Sequence, residues 1–256
     1  MPAFSPVVLY VLWLALKHRS LLLFTAVNPA IPGGGFVGES KSDILKGLAG
    51  SSEMVAPYAV IPAALPPADR LAQADAFRGR LQLDWPVVLK PDIGERGFGG
   101  AVIRSEQEAR AYIASAQGDT IIQAYAPGAE FGVFYVRHPE EIHGRIFSIT
   151  EKRFPTVLGD GRATLEELIL NDDRAVAMAS FHLRMHAEHL TWVPADGEVV
   201  QLVELGTHCR GAVFLDGGWV RTAELEAAID RISRGFKGFW FGRYDIRTPD
   251  VAELQR

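Results

Sequence analysis

The sequence predicts an α+β fold, on three observations. Short apolar strands alternate with capped helices in mixed order from Trp85 onward. A lysine-ended strand, Pro86-Val-Val-Leu-Lys-Pro91, runs directly into a loop with four glycines in seven residues. No internal repeat or low-complexity tract points to a solenoid or a disordered chain. With 256 residues, 48% hydrophobic and 22% charged, the chain can bury one large core or two modest ones. A net charge of −5 with scattered Lys and Arg gives no basic field for a polyanion, so nucleic acid is not expected as a partner. One cysteine, Cys209, excludes an internal disulfide framework and fits a reducing compartment, with the cytoplasm as the simplest expectation.

The first two elements are expected in the apolar runs 7–16 and 21–27, separated by Lys17, His18 and Arg19. Each is shorter than the ~20 apolar residues a membrane span requires, and the basic cluster follows the first run rather than preceding it as in a signal peptide. The expected structure is a buried helix and then a buried strand, with peripheral membrane contact as the alternative. Residues 28–35 must form a loop, since two prolines and three glycines suit neither ladder. A helix begins near Ser40, which can cap it, with Asp43 in its first turn. Residues 57–67 read as a turn-rich connection carrying a short strand at Ala59-Val-Ile61.

From Trp85 the expected order is strand (86–91), glycine loop, strand (101–104), helix (105–116, capped by Ser105 with Glu108 in a capping box) and strand (120–125). Strands at 130–137 and 145–150, a Gly159-Asp-Gly161 turn, a helix at 165–170 and strands at 199–205 and 239–246 complete the pattern.

The stretch Val88-Leu-Lys-Pro-Asp-Ile-Gly-Glu-Arg-Gly-Phe-Gly-Gly-Ala-Val-Ile-Arg104 carries the most chemistry. Glycines there free backbone amides to approach phosphate oxygens, and Lys90 ends the preceding strand as a fixed positive charge. A strand, not a helix, comes after Gly97-Phe-Gly99-Gly100, which rules out the dinucleotide fingerprint. A mobile hairpin over a nucleotide fits better, and a glycine-rich hairpin with an exposed lysine is the plainer alternative.

These residues resemble the ATP-grasp superfamily, most closely its D-alanyl-D-alanine ligase and cyanophycin synthetase branches, in which a strand ending Lys-Pro precedes a glycine-rich lid. Further on, Ile121-Ile-Gln-Ala-Tyr-Ala-Pro-Gly-Ala-Glu-Phe-Gly-Val-Phe-Tyr-Val136 looks like the family's adenine hinge followed by its Gly-x-Glu strand. The segment Thr150-Glu-Lys-Arg-Phe-Pro-Thr-Val-Leu-Gly-Asp-Gly-Arg-Ala-Thr-Leu-Glu-Glu-Leu-Ile169 looks like a turn and helix of cyanophycin-type ligases. The resemblance covers residues 85–247 and implies two α+β lobes clamping ATP. A small lobe spans 81–126, a large lobe spans 127–256, and an N-terminal region spans 1–80. It further implies that Lys90 and the lid residues Gly94, Glu95, Arg96, Gly97, Phe98, Gly99 and Gly100 position the phosphates. Gln123, Ala124, Tyr125 and Ala126 would pass beneath adenine, Glu130 would hold the ribose, and Lys152 or Arg153 would face the triphosphate. The implied reaction is ATP- and Mg2+-dependent phosphorylation of a small carboxylate, then attack by an amine or thiol.

Phe241-Gly-Arg-Tyr-Asp-Ile-Arg247 looks like the family's Gly-Arg-x-Asp strand, which nominates Asp245 for metal and Arg243 for the acyl phosphate. The family's following Glu-x-Asn pair is missing from the eleven residues after Asp245, so the metal site is expected to be incomplete. Either the chain is a fragment or shortened variant that has lost that strand and with it most turnover, or another residue such as Glu204 replaces the ligands. Two other readings remain open, a nucleotide-binding module without turnover and a membrane-peripheral structural protein.

Three further motifs are weaker. Gly33-Gly-Gly-Phe-Val-Gly-Glu-Ser40 has Glu39 where a P-loop has its lysine, so it is read as a glycine-rich connection or an anion site strengthened by Lys41. His182, His186 and His189 have helical spacing that can set all three on one half-exposed face, but lack the adjacent Glu of a metalloprotease helix. His208 and Cys209 are sequence neighbours and would point to opposite faces of a strand, which disfavours a thiol–imidazole pair.

Overall fold

The computed structural model describes residues 5–35, 38–94, 99–204 and 211–256. The predicted motifs at 95–98 and 207–210 lie outside these described residues. Two four-stranded antiparallel sheets and one two-stranded sheet organise the rest, each with helices on one face and its own apolar cluster.

The first sheet contains β1 (Tyr58–Ile61), β2 (Val87–Pro91), β3 (Ala101–Ile103) and β4 (Thr120–Ala124) in the order β1-β4-β2-β3. Helices α3 (Pro67–Leu81) and α4 (Glu106–Ser115) cover one face, with Leu71, Ala74, Phe77, Ala109 and Ile113 packed on Ile61, Val87, Leu89 and Ile122. Strand alternation therefore turns Lys90 and Gln123 to the opposite face. Helix α4 is capped as expected, Ser105 Oγ accepting from Glu108 N–H, but the Glu108 carboxylate takes the Arg104 N–H in place of the one a capping box uses. Residues 57–67 form less of a linker than the prolines suggest: they hold edge strand β1 and lead into α3 with Pro67 in its first turn, where proline's missing N–H costs nothing.

The second sheet contains β5 (Ala129–Val136), β6 (Arg145–Arg153), β9 (Val213–Asp216) and β10 (Phe241–Thr248) in the order β10-β5-β6-β9. Its inner face carries Phe131, Val133, Tyr135 and Ile149, packed against Leu225 and Ile229 of α7 (Ala223–Gly235) and Leu254 of α8 (Val251–Leu254). The pair β7 (Thr156–Leu158) and β8 (Val199–Gln201) joins α5 (Leu165–Asn171) and α6 (Ala179–Met185) around Val157, Leu165, Ile169 and Leu202. A complete capping box, Thr164 with Glu167, starts α5.

The first eighty residues depart from expectation. Helix α1 (Ser5–Lys17) forms, but every residue of 7–13 is exposed, so it is not the buried helix its apolarity suggested. The run 21–27 is not a buried strand: it holds a 3-10 turn at Leu23–Ala26, with Leu21, Leu22, Leu23 and Phe24 exposed. Apolar composition demands a cover without supplying one. The loop that follows is tied down by buried Asn28, whose side chain donates to Phe241 O (2.8 Å) and accepts from Trp240 N–H (2.8 Å) at the start of β10. Helix α2 (Lys41–Gly47) is capped by Ser40, as its sequence predicts. No helix among the described residues is long and apolar enough to cross a membrane.

Candidate functional site

The outer face of the second sheet carries a row of charges set by register alone. Arg247 of β10 lies opposite Glu130 of β5, and Glu130 opposite Lys152 of β6. Two residues back along β10, on the same face, lies Asp245, and two further Arg243. Lys152 Nζ donates to Glu130 Oε1 (2.6 Å) and stands 3.0 Å from Asp245 Oδ1. Arg247 Nε donates to Glu130 Oε2 (3.0 Å), and Arg243 Nε to Asp245 Oδ1 (3.1 Å). The side chain of Lys152 is 2% exposed and that of Glu130 10%, so this is a buried ion cluster in which each charge is partnered. Asp245 is half-exposed at its edge.

Two glycines make the row possible. A Cβ on Gly132 would come within 3.1 Å of Arg243 Cδ, so the bare backbone leaves the space in which that arginine lies across the sheet. Gly128 adopts φ +104°, and a Cβ there would meet Thr248 O at 2.1 Å. Only glycine lets the 126–128 turn press against the end of β10 and deliver Glu130 to Arg247.

The first sheet contributes Lys90, whose Nζ donates to Gln123 Oε1 (2.7 Å), while Gln123 Nε2 donates to Ala56 O (3.0 Å). Burial lowers the Lys90 pKa, the like charge of Lys41 lowers it further, and the Asp245 carboxylate of the second sheet works in the opposite direction. A direct ion pair joins Arg104, just past β3, to Glu204, just past β8 of the two-stranded sheet. Arg247 completes the junction by donating to Ala126 O (3.2 Å) and to Glu204 O, with its guanidinium 5.6 Å from the Tyr125 ring.

Of the residues nominated from the sequence, Tyr125, Ala126, Glu130, Lys152, Arg243 and Asp245 are joined by contacts here, and Lys90 with Gln123 forms a separate pair on the first sheet. Arg153 does not join them. It is next to Lys152 on β6, so it faces the other way, and its Nε donates to Glu151 (2.7 Å). Ala124 N–H is already donated to Pro57 O (2.8 Å). Of the lid, Gly94, Gly99 and Gly100 are described; Gly94 O accepts from Lys41 Nζ (2.7 Å) and Gly99 O from Tyr112 Oη (2.6 Å), while Glu95, Arg96, Gly97 and Phe98 lie outside the described residues.

Sequence reasoning missed two residues. Arg247 has the strongest claim, and its signal was the period-two run Arg243, Asp245, Arg247 on one strand face. Asp92 is the other. Its carboxylate accepts from Ser42 N–H (2.7 Å) and Ser40 Oγ (2.8 Å), so the start of α2, read as an anion site, already holds an internal anion. Lys41 bonds Asp92 O (3.1 Å) as well as Gly94 O, which ties α2 to the foot of the glycine loop.

The donor set does not fit a resident magnesium ion. Asp245 Oδ1 is shared by two cations, both Glu130 oxygens are taken, and Glu204 is paired with Arg104. Among the described residues, no three His, Cys, Asp or Glu side chains cluster as metal ligands. The His182, His186 and His189 series does not share one half-exposed face either: α6 ends at Met185, His182 is wholly buried, and His189 lies beyond the helix.

Two of the hollows among the described residues lie elsewhere. One, of about 500 Å³, is lined by His143, Asp230, Arg231 and Arg234 on the α7 side of the second sheet, opposite the charge row. There burial would raise the Asp230 pKa, but bonds from Gly144 N–H, His143 and Tyr135 Oη outweigh it and hold the carboxyl low. The other, of about 790 Å³, lies between α1 and residues 20–22.

No family model matches the sequence. A cyanophycin synthetase from Geminocystis herdmanii (strain PCC 6308) is 38% identical over 212 residues, which is 73% of this chain and 22% of that protein's length. Among solved structures, a D-alanine–D-alanine ligase from Bacillus anthracis complexed with ATP is 12% identical, with a TM-score of 0.44 over 83% of this chain and 52% of its own. The VanG D-Ala:D-Ser ligase from Enterococcus faecalis is 13% identical, with a TM-score of 0.46 over 80% of this chain and 47% of its own. At those scores the structural likenesses carry no argument, and the sequence match bears the weight. The chain resembles the ATP-grasp ligases, and its α+β fold is the one that resemblance implies.

Proposed function

We propose that the chain binds ATP where its two large sheets meet and serves carboxylate activation of the ligase type. The observation that carries this reading is the bridge made by Arg247, which holds Glu130 of the Glu130–Lys152–Asp245 row and the Ala126 carbonyl past the end of the first sheet, on whose helix-free face Lys90 lies. In this reading Lys90 and the loop hold phosphate oxygens, and the 123–126 backbone and the Tyr125 ring border adenine. Lys152 and Arg243 supply positive charge where a terminal phosphoryl group meets a substrate carboxylate. That carboxylate takes the phosphoryl group from ATP, leaving ADP and an acyl phosphate, from which an amine or thiol then displaces phosphate. Glu130 reaches a ribose only if it exchanges one of its two cations for the sugar hydroxyls. Magnesium, when it accompanies the nucleotide, would screen phosphate charge; the residues as placed offer it no centre of their own.

Calorimetric titration with ATP tests the reading. The wild-type chain is expected to bind, and Lys90→Met to bind roughly tenfold to a hundredfold more weakly, since a hydrogen bond to a charged group contributes about 1.5–3 kcal/mol. Burial of the Lys90 charge also costs stability, so its removal is expected to change the urea midpoint little. Absence of ATP binding by the wild-type chain would end the proposal. The cation-held Asp245 favours a second reading, binding without turnover. An ADP-release assay with candidate amino acids separates the two, because only a ligase releases ADP in a substrate-dependent way.

A further inference from the structure

We infer that α1 and the turn after it form a docking surface for an anionic lipid bilayer. Every residue of 7–13 is exposed, and seven successive helical positions sweep almost two turns, so the exposed apolar surface runs right round the helix. A protein groove or a second copy of the chain covers one side of a helix. Lipid covers all of it. Leu16 (79% exposed), Leu21 (75%) and Leu22 extend the apolar surface past the helix end and border the hollow of about 790 Å³, at which Arg19 also stands.

Charge singles out the kind of surface. Lys17 and Arg19 are the only formal charges before Glu39, in a chain whose net charge is −5. They sit at the C-terminal end of α1, with His18 between them and Lys17 Nζ 5.0 Å from the Trp13 ring. Trp13 and Tyr10 stack at 5.7 Å, a pair suited to the headgroup boundary. Thirteen residues of helix extend about 20 Å, too short for a core of about 30 Å but long enough to enter one leaflet while the basic end stays among headgroups. A basic cluster at that depth favours phosphatidylserine-type lipids over neutral ones.

Flotation of the full chain with liposomes tests this, using phosphatidylcholine alone and phosphatidylcholine with phosphatidylserine. The chain is expected to float with the mixed liposomes and less with the neutral ones. The double variant Leu9→Glu/Leu12→Glu is expected to weaken flotation on both, roughly tenfold or more per leucine. Lys17→Glu/Arg19→Glu is expected to weaken it only on phosphatidylserine, about fivefold per charge. All four positions are exposed, so the urea midpoints should match that of the wild type. The inference is overturned if the chain stays with the unbound fraction on both liposomes or if the leucine variants float undiminished. It is overturned equally by a lipid-free dimer that Leu9→Glu/Leu12→Glu dissolves while flotation is absent, since that would assign the surface to a second copy.

Discussion

Lys152 stands between two carboxylates, and its near-complete burial makes it the residue on which the charge row depends. With Glu130 on one side and Asp245 on the other, its ammonium offsets the cost of carrying Glu130 into the sheet face. Truncation to methionine keeps the stem packing and removes the charge, leaving Glu130 with Arg247 alone and Asp245 with Arg243 alone. Breaking a buried pair costs about 3–5 kcal/mol, and Lys152→Met is expected near the lower end because Arg247 still holds Glu130 Oε2. The double variant Lys152→Met/Glu130→Gln should lose more still, because position 130 no longer carries charge and Arg247, 14% exposed, is left without its carboxylate partner. Urea midpoints of the two variants check this, and equal losses would show that Arg247 does not depend on that carboxylate. Arg153→Met, by contrast, should leave the urea midpoint close to that of the wild type, since its guanidinium is exposed to solvent. At this scale, sequence alone could nominate Lys152 and Arg153 together. Only strand parity, fixed by the pairing of Glu130 with Lys152, separates them.

Among the elements, α6 carries a group the charge row does not use. His182 is fully buried, neither ring nitrogen has a hydrogen-bond partner among the described residues, and Gly211 backs it closely enough that a Cβ there would lie 3.4 Å from Nε2. Burial lowers its pKa from 6.5, and His186 lowers it further. The unfolded chain therefore takes up a proton near pH 6.5 that the folded chain refuses until a lower pH. Stability is expected to fall as pH drops below about 6.5 and to level off beneath the folded pKa. His182→Leu should flatten that slope, leaving the loss near neutrality no larger than a packing adjustment. Thermal melts across that window measure it, and an unchanged slope would move the acid sensitivity to another group. The elements themselves were unevenly legible. Caps at Ser40 and Ser105 and the succession of strands and helix over 86–124 followed from local chemistry, because capping and alternation act over four or five residues. Helix α7 was equally legible, with Thr222 as cap and Leu225, Ile229 and Ile232 at helical spacing, but motif matching passes over it because it carries no site residue. Helix α1 was not, since burial depends on what the rest of the chain offers, and no local pattern states that.

For the whole molecule, the junction of the two large sheets rests on a small number of side chains. Glu204, past the end of β8 and in neither sheet, bridges them: its carboxylate pairs with Arg104 past β3 and its carbonyl accepts from Arg247 of β10, which also holds Ala126 O and Glu130. The Arg104–Glu204 pair is partly exposed, so it is expected to contribute about 0.2–1 kcal/mol to global stability. Under the proposed ATP-binding reading, its greater effect falls on how long the sheets stay together over the nucleotide, where one ion pair gates opening without holding the fold. Arg104→Glu and Glu204→Arg should each leave the urea midpoint within about 1 kcal/mol of wild type and speed ATP release. The exchanged pair Arg104→Glu/Glu204→Arg should restore slow release, giving a coupling term in a double-mutant cycle. Stopped-flow displacement of a fluorescent ATP analogue reads the rates. If the exchanged variant releases nucleotide as fast as either single one, Arg104 and Glu204 do not act across the junction, and closure rests on Arg247. That residue belongs to both the charge row and the junction, so Arg247→Met is expected to change stability and release rate together, which the Arg104 and Glu204 variants do not.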